Sequence, residues 1–203
     1  MDVVLLLGWI STLTIVVAGV LVVTSDLRVA LGAFLAEYLG VAGLLYIAGF
    51  PGGAFTRIGL ATAAGAILWL TLVRLGWSAS HPSGSALPGG RWFRLSAALL
   101  VGFGAWGLAE SLSNVFPGVT LAHARAASAL LGFGLLQLGL SEDPIRWIFA
   151  LTTCLLGFEV AYAILEPSLA VQAILACVHL GILVVGSDIA VRRQAASQGS
   201  EPE

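Results

Sequence analysis

Apolar residues fall along this chain in seven runs, each about 20 residues long and parted by short polar or Pro/Gly-containing turns. A helix of ~20 apolar residues crosses ~30 Å of hydrocarbon. The runs predict helices over about 3–24, 28–50, 54–77, 91–116, 121–140, 145–165 and 169–191. Ser25-Asp26-Leu27-Arg28 is a tight polar connection, and Pro51-Gly52-Gly53 ends the second helix. Pro117-Gly118 and Glu166-Pro167-Ser168 are turns, and Ser141-Glu142-Asp143-Pro144 is an acidic helix start that suits the helix dipole. The longest loop, 78–90, holds His81, Pro82 and Pro88 and is flexible by composition. The fold expected is all-α: a polytopic membrane helix bundle of about seven transmembrane helices, one domain over 1–191, with 192–203 a disordered cytoplasmic tail.

Composition agrees with that pattern. Hydrophobic residues make up 59% of the 203 and charged residues only 10%, against roughly 25% charged in a soluble domain. A net charge of −2 gives no reason to expect a nucleic-acid or acidic partner; the expected surroundings are the lipid bilayer. Asp2 stands where a signal peptide would carry basic residues, so the first run reads as a retained helix. All nine basic residues are Arg. Seven helices would place Arg28, Arg74, Arg91, Arg94, Arg146, Arg192 and Arg193 on one side and Arg57 and Arg125 on the other. The positive-inside rule then puts the N-terminus outside and the C-terminus in the cytoplasm, in a multi-pass protein of the cell inner (plasma) membrane.

The helices are not alike. The first is almost uniformly aliphatic and reads as lipid-facing. Gly32, Ala36 and Gly40 form a small-residue stripe on the second, and Ala126, Ala127, Ser128, Ala129, Gly132 and Gly134 make the fifth a close-packing helix. Arg57 and Arg74, near the two ends of the third, are placed to snorkel. Trp69, Trp77, Trp92 and Trp147 fit an aromatic belt. Cys154 and Cys177 lack metal-ligand spacing and read as small apolar residues. A loose internal repeat sets Arg28, Glu37 and Pro51 against Arg146, Glu159 and Pro167.

No nucleophile elbow, phosphate loop, HExxH or CxxC occurs, and nothing calls for a metal or cofactor in this chain. The candidate chemistry is a set of ionisable groups at membrane depth. Glu159 sits in the middle of the sixth run and His179 in the middle of the seventh. A carboxylate at that depth costs roughly 2.5–3.5 kcal/mol on insertion scales. Burial disfavours the charged form, so Glu159 is placed to take up and release a proton. Thr152 and Tyr162 share its helix face and are candidate hydrogen-bond partners. Glu37 has similar depth beside the small-residue stripe, and Gln172 extends the polar stripe of His179. The proposed relay is therefore Glu159, Glu37 and His179; each also has a plainer reading, as a packed group that staples helices. Glu110, with Ser113 and Asn114, reads as an interfacial polar end, Asp188–Arg192 as a local salt bridge, and Glu142, Asp143 and Arg146 as solvated.

IRWIFALTTCLLGFEVAYAIL, followed after the turn by LAVQAILACVHLGILVVGSDIAVRR, resembles the hydrogenase-4 component E family, membrane subunits of complex I-like and group 4 hydrogenase-type assemblies that are partly similar to the K-type subunit of complex I. RVALGAFLAEYLG looks like that family's second helix, with Glu37 at a polar position. Glu159 falls at what looks like the family's mid-membrane Glu, while His179 stands near a position where the family is acidic. The resemblance implies a non-redox subunit of a proton-translocating oxidoreductase complex, without a cofactor of its own, beside antiporter-like and other membrane subunits. Two other readings stay open: a stand-alone small transporter, against which the breaks at helix ends speak, and a structural or assembly subunit without a relay.

Overall fold

The computed structural model describes residues 3–77, 90–116, 118–166 and 168–198. The loop with His81, Pro82 and Pro88, the turn prolines Pro117 and Pro167, Asp2 and the last five positions lie outside these residues. Among the described residues seven helices follow one another: α1 (Val3–Val23), α2 (Leu27–Ile47), α3 (Pro51–Arg74), α4 (Arg91–Val115), α5 (Leu121–Leu140), α6 (Pro144–Leu165) and α7 (Leu169–Gln198). Each is long and apolar enough to cross a membrane. The chain is an all-α polytopic bundle, a multi-pass membrane protein.

Local chemistry sets the helix ends. Asp26 caps α2 by accepting from the Arg28 amide at 2.8 Å, and Asp143 caps α6 by accepting from the Ile145 amide at 3.0 Å. Pro51 and Pro144 occupy the first helical turn, where a missing N–H costs nothing. Pro51-Gly52-Gly53, expected to end the second helix, instead begins α3, α2 having already ended at Ile47. Gly49 (φ 89°) closes α2 with paired bonds, Gly49 N–H to Tyr46 O at 3.1 Å and Phe50 N–H to Leu45 O at 3.0 Å. That left-handed residue is the Schellman ending of a helix.

The far end of α7 differs from the sequence expectation. Residues 192–198 continue the helix instead of forming a disordered tail. Ala195, Ala196, Arg192, Arg193 and Gln194 are good helix formers. Arg192 pairs with Asp188 one turn back at 2.7 Å, and Arg193 donates to the Glu142 carbonyl at 2.8 Å.

Neighbouring helices close two rings. α2, α3, α7 and α6 pack in that order around one centre; α1, α2, α6 and α5 pack around another, with α4 outside against α5 and α1. α1 turns Leu7, Ser11, Thr14, Ala18 and Leu21 inward and leaves Trp9, Leu13, Val16 and Val20 exposed. Of the two glycines in the Gly32-Ala36-Gly40 stripe, Gly40 seats the Thr14 side chain, whereas a Cβ on Gly32 would meet nothing within 4 Å. The closest approach is between α5 and α6. A Cβ on Gly157 would lie 2.7 Å from the Leu131 nitrogen and 2.8 Å from the Ala127 oxygen, and one on Gly134 would lie 2.7 Å from both the Ala150 oxygen and the Cys154 nitrogen. Glycine at these two positions lets the backbones touch.

Candidate functional site

The α2–α3–α7–α6 ring encloses a polar cluster with no exposed member. Arg57 of α3, Glu159 of α6 and His179 of α7 are each 0% exposed. Arg57 Nη2 lies 2.9 Å from Glu159 Oε1 and donates to Gln172 Oε1 at 2.6 Å. His179 Nδ1 lies 3.5 Å from the same Glu159 oxygen and 3.1 Å from the Leu175 carbonyl oxygen. A carbonyl only accepts, so that last bond requires the proton on Nδ1 and leaves Nε2 of a neutral ring with its lone pair free. On α2, the Tyr38 ring meets the His179 ring edge-on, centroids 5.7 Å apart. The preceding residue, Glu37, accepts from Thr153 Oγ1 of α6 at 2.7 Å.

The structure thus brings Glu159 and His179 together and holds Glu37 apart from both. Glu37 adjoins the pair only through its neighbour Tyr38 and through Thr153 on α6. Thr152 and Tyr162 do not serve Glu159. Thr152 Oγ1 bonds back to the Ile148 and Phe149 carbonyls at 2.5 and 3.0 Å, and Tyr162 stacks on Phe158 with ring centroids 5.2 Å apart. Gln172 does extend the stripe of His179, and it holds Arg57.

Arg57 is the main departure from the sequence reading. It does not snorkel; six residues into α3, it turns into the ring and supplies the cation for Glu159. A buried arginine and carboxylate hold each other because each alone would be an uncompensated charge in a low dielectric. Its helical spacing was the available signal: Gly53, Ala54, Arg57, Leu60, Ala61 and Ala64 lie on one buried face of α3.

The cluster is not saturated within the protein. Among the described residues, Arg57 Nε and Nη1, Glu159 Oε2, His179 Nε2, Tyr38 OH and Glu37 Oε1 have no hydrogen-bond partner. His123 in the second ring is a contrast. Its Nε2–H donates to the Leu44 carbonyl at 3.3 Å and its Nδ1 meets Thr120 Oγ1 at 2.7 Å, so both ring nitrogens are used. It is a structural histidine.

The remaining charges sit nearer the helix ends. Arg146 is buried, contrary to its reading as solvated, because it donates to the Thr24 and Ser25 carbonyls at 3.0 and 3.2 Å and so closes the end of α1. Arg125 lies over the Trp106 ring at 3.8 Å. Asp188 and Arg192 form the expected exposed pair.

The Thr153 hydroxyl gives a direct prediction. Thr153→Val keeps shape and removes the donor to Glu37, so unfolding in detergent should show a loss of about 1–3 kcal/mol. A change below about 0.5 kcal/mol would mean that the Glu37 carboxyl does not depend on that bond.

No family model, curated protein or solved structure matches the chain.

Proposed function

We propose that this protein is a non-redox membrane subunit of a complex I-like or membrane-hydrogenase-like assembly, contributing buried ionisable residues to a proton path. One observation carries the reading: titratable side chains from four helices meet in a buried ring, with Arg57 Nη2 2.9 Å and His179 Nδ1 3.5 Å from the same Glu159 oxygen. Ionisable groups placed so deep in a membrane protein mark ion or proton routes. The sequence resemblance supplies the assembly, with antiporter-like and other membrane subunits as neighbours and the redox chemistry outside this chain.

In this reading the neutral His179 ring takes a proton at Nε2 and gives its Nδ1 proton to Glu159 Oε1. The transfer is balanced, leaving the other imidazole tautomer and a neutral carboxylic acid. Arg57 stabilises Glu159 as the anion before the proton arrives, and Gln172 holds the guanidinium once the acid is neutral. Tyr38 and Glu37 continue the polar line across α2.

The arginine distribution supports an outside N-terminus and a cytoplasmic C-terminus in the plasma membrane. Arg57 and Arg125, which stand against the positive-inside count, are occupied by Glu159 and Trp106 and do not act as loop anchors.

Because Arg57 depends on Glu159, Glu159→Gln alone would strand a buried cation. The clean test removes both charges. The assembly carrying Arg57→Met with Glu159→Met should form normally and lose redox-coupled proton translocation, read by pH-dye quenching in membrane vesicles. Wild-type translocation by that variant would make the ion pair a staple and end the relay reading.

A further inference from the structure

Gln172, Arg57, Glu159, His179 and Glu37 of the α2–α3–α7–α6 ring lie within about one half of its depth. At about 1.5 Å of rise per residue, Gln172 lies roughly 4.5 Å from the start of α7, Arg57 roughly 9 Å from the start of α3, and Glu159 roughly 9 Å from the end of α6. His179 and Glu37 lie about 15 Å from the same face, near mid-helix. That face carries the α2–α3 and α6–α7 turns.

Just beyond His179 and Glu37, Thr152 and Thr153 of α6 spend their hydroxyls on the Ile148 and Phe149 carbonyls and on Glu37, and the layer after that is apolar. Phe34 of α2 packs on Phe149 of α6 with ring centroids 5.1 Å apart and on Tyr38 at 5.0 Å. Ile148, Leu183, Leu68 and Leu72 complete the fill, each no more than 1% exposed. A Cβ on Gly186 of α7 would run into the Ile148 side chain, so α6 and α7 close tightly here. The buried polar groups further on are Thr71, bonded to its own helix at Ile67 O (2.8 Å), Ser187, and Arg146, which serves the α1–α2 turn. Roughly 12 Å of α7 separates His179 from Ser187, with Leu183 between them.

We propose that the Arg57–Glu159–His179 cluster exchanges protons with only one face of the membrane, the face carrying the α2–α3 and α6–α7 turns, and that the Phe34–Phe149–Leu183 layer seals it from the other. This deepens the proton-path reading and rests on it. Protons then reach His179 sideways, from Tyr38 and the Glu37–Thr153 pair, and leave Glu159 past Gln172 to the turn face; they do not pass straight through the ring.

The test uses the small cation Ag⁺, which reacts with thiols and follows aqueous routes but not hydrocarbon. Single cysteines are placed on the inward stripe of α7 at Ala176, Leu183 and Ser187, in the full chain with Cys154→Ala and Cys177→Ala. Ala176→Cys and Ser187→Cys are small changes outside the cluster. Protein in sealed vesicles receives Ag⁺ on one face, and thiols still free are counted with a fluorescent maleimide after denaturation.

A charge crossing the apolar layer meets a barrier of a few kcal/mol, and each ~1.4 kcal/mol is tenfold in rate. Ala176→Cys should therefore be silvered at least about tenfold faster from the turn face, and Ser187→Cys from the opposite face. Leu183→Cys should react slowly from both. If Ala176→Cys reacts equally from both faces, faster from the opposite face, or from neither, the one-sided route is wrong. Fast reaction at Leu183→Cys refutes the seal, and Leu183→Ser, which should raise Ala176→Cys labelling from the opposite face, checks it a second way. These outcomes do not depend on turnover. Translocation surviving in the Arg57→Met/Glu159→Met assembly would overturn the relay while leaving the silver pattern to stand or fall alone.

Discussion

Arg57→Met is expected to destabilise the bundle by about 3–5 kcal/mol, the usual cost of removing one member of a buried ion pair. Glu159 would then be a carboxylate with 0% exposure and without its arginine, 3.5 Å from His179. Glu159→Met should cost a similar amount by stranding the guanidinium. Replacing both removes two desolvation penalties with their attraction, so the double variant should regain most of the loss. Gln172 Oε1 would still lack its donor, which keeps the recovery short of complete. Unfolding of the four proteins in one detergent gives the coupling energy directly. If the double variant loses the sum of the two single losses, Arg57 and Glu159 do not act as a pair.

Gly157→Val should cost about 3 kcal/mol, the upper end of the overpacking range. The added carbon would meet the Leu131 nitrogen and the Ala127 oxygen, which are backbone atoms and cannot move aside by changing rotamer. α5 and α6 would have to separate, and with them the contact through which Cys154 Sγ reaches the Leu131 carbonyl at 3.6 Å. Gly139→Val is the matched control, since a Cβ there meets nothing within 4 Å; it should lie within about 1 kcal/mol of wild type. Equal thermal shifts in the two variants would contradict a seam set by backbone contact.

The helices were legible because each apolar run has the length hydrocarbon requires. Asp26, Asp143 and Pro144 are local signals, and local chemistry decides helix ends; Gly49, which closes α2, lay unread inside the second apolar run. The far end of α7 was misread because polar composition was weighed and helix propensity was not. The depths of Glu37, Glu159 and His179 could be counted along the chain. Their azimuth could not, because the rotation of each helix is fixed by the helices packed on it. Thr152 was the expected companion at helical spacing from Glu159, yet it is Thr153, about 100° round the axis, that meets a carboxylate, and that carboxylate is Glu37. Arg57 was hidden by position: an arginine near a helix end is usually drawn to the surface, and only its place among the small residues of α3 marked it as inward.

α7 has 30 residues, about 45 Å at helical rise, against ~30 Å of hydrocarbon. No glycine or proline interrupts it after Gly186, and Arg193 ties it to the Glu142 carbonyl. Roughly 15 Å of it thus exceeds one crossing, and α7 is held on both sides of its histidine, by Gln172 on Arg57 near its start and by Arg193 on the Glu142 carbonyl near its end.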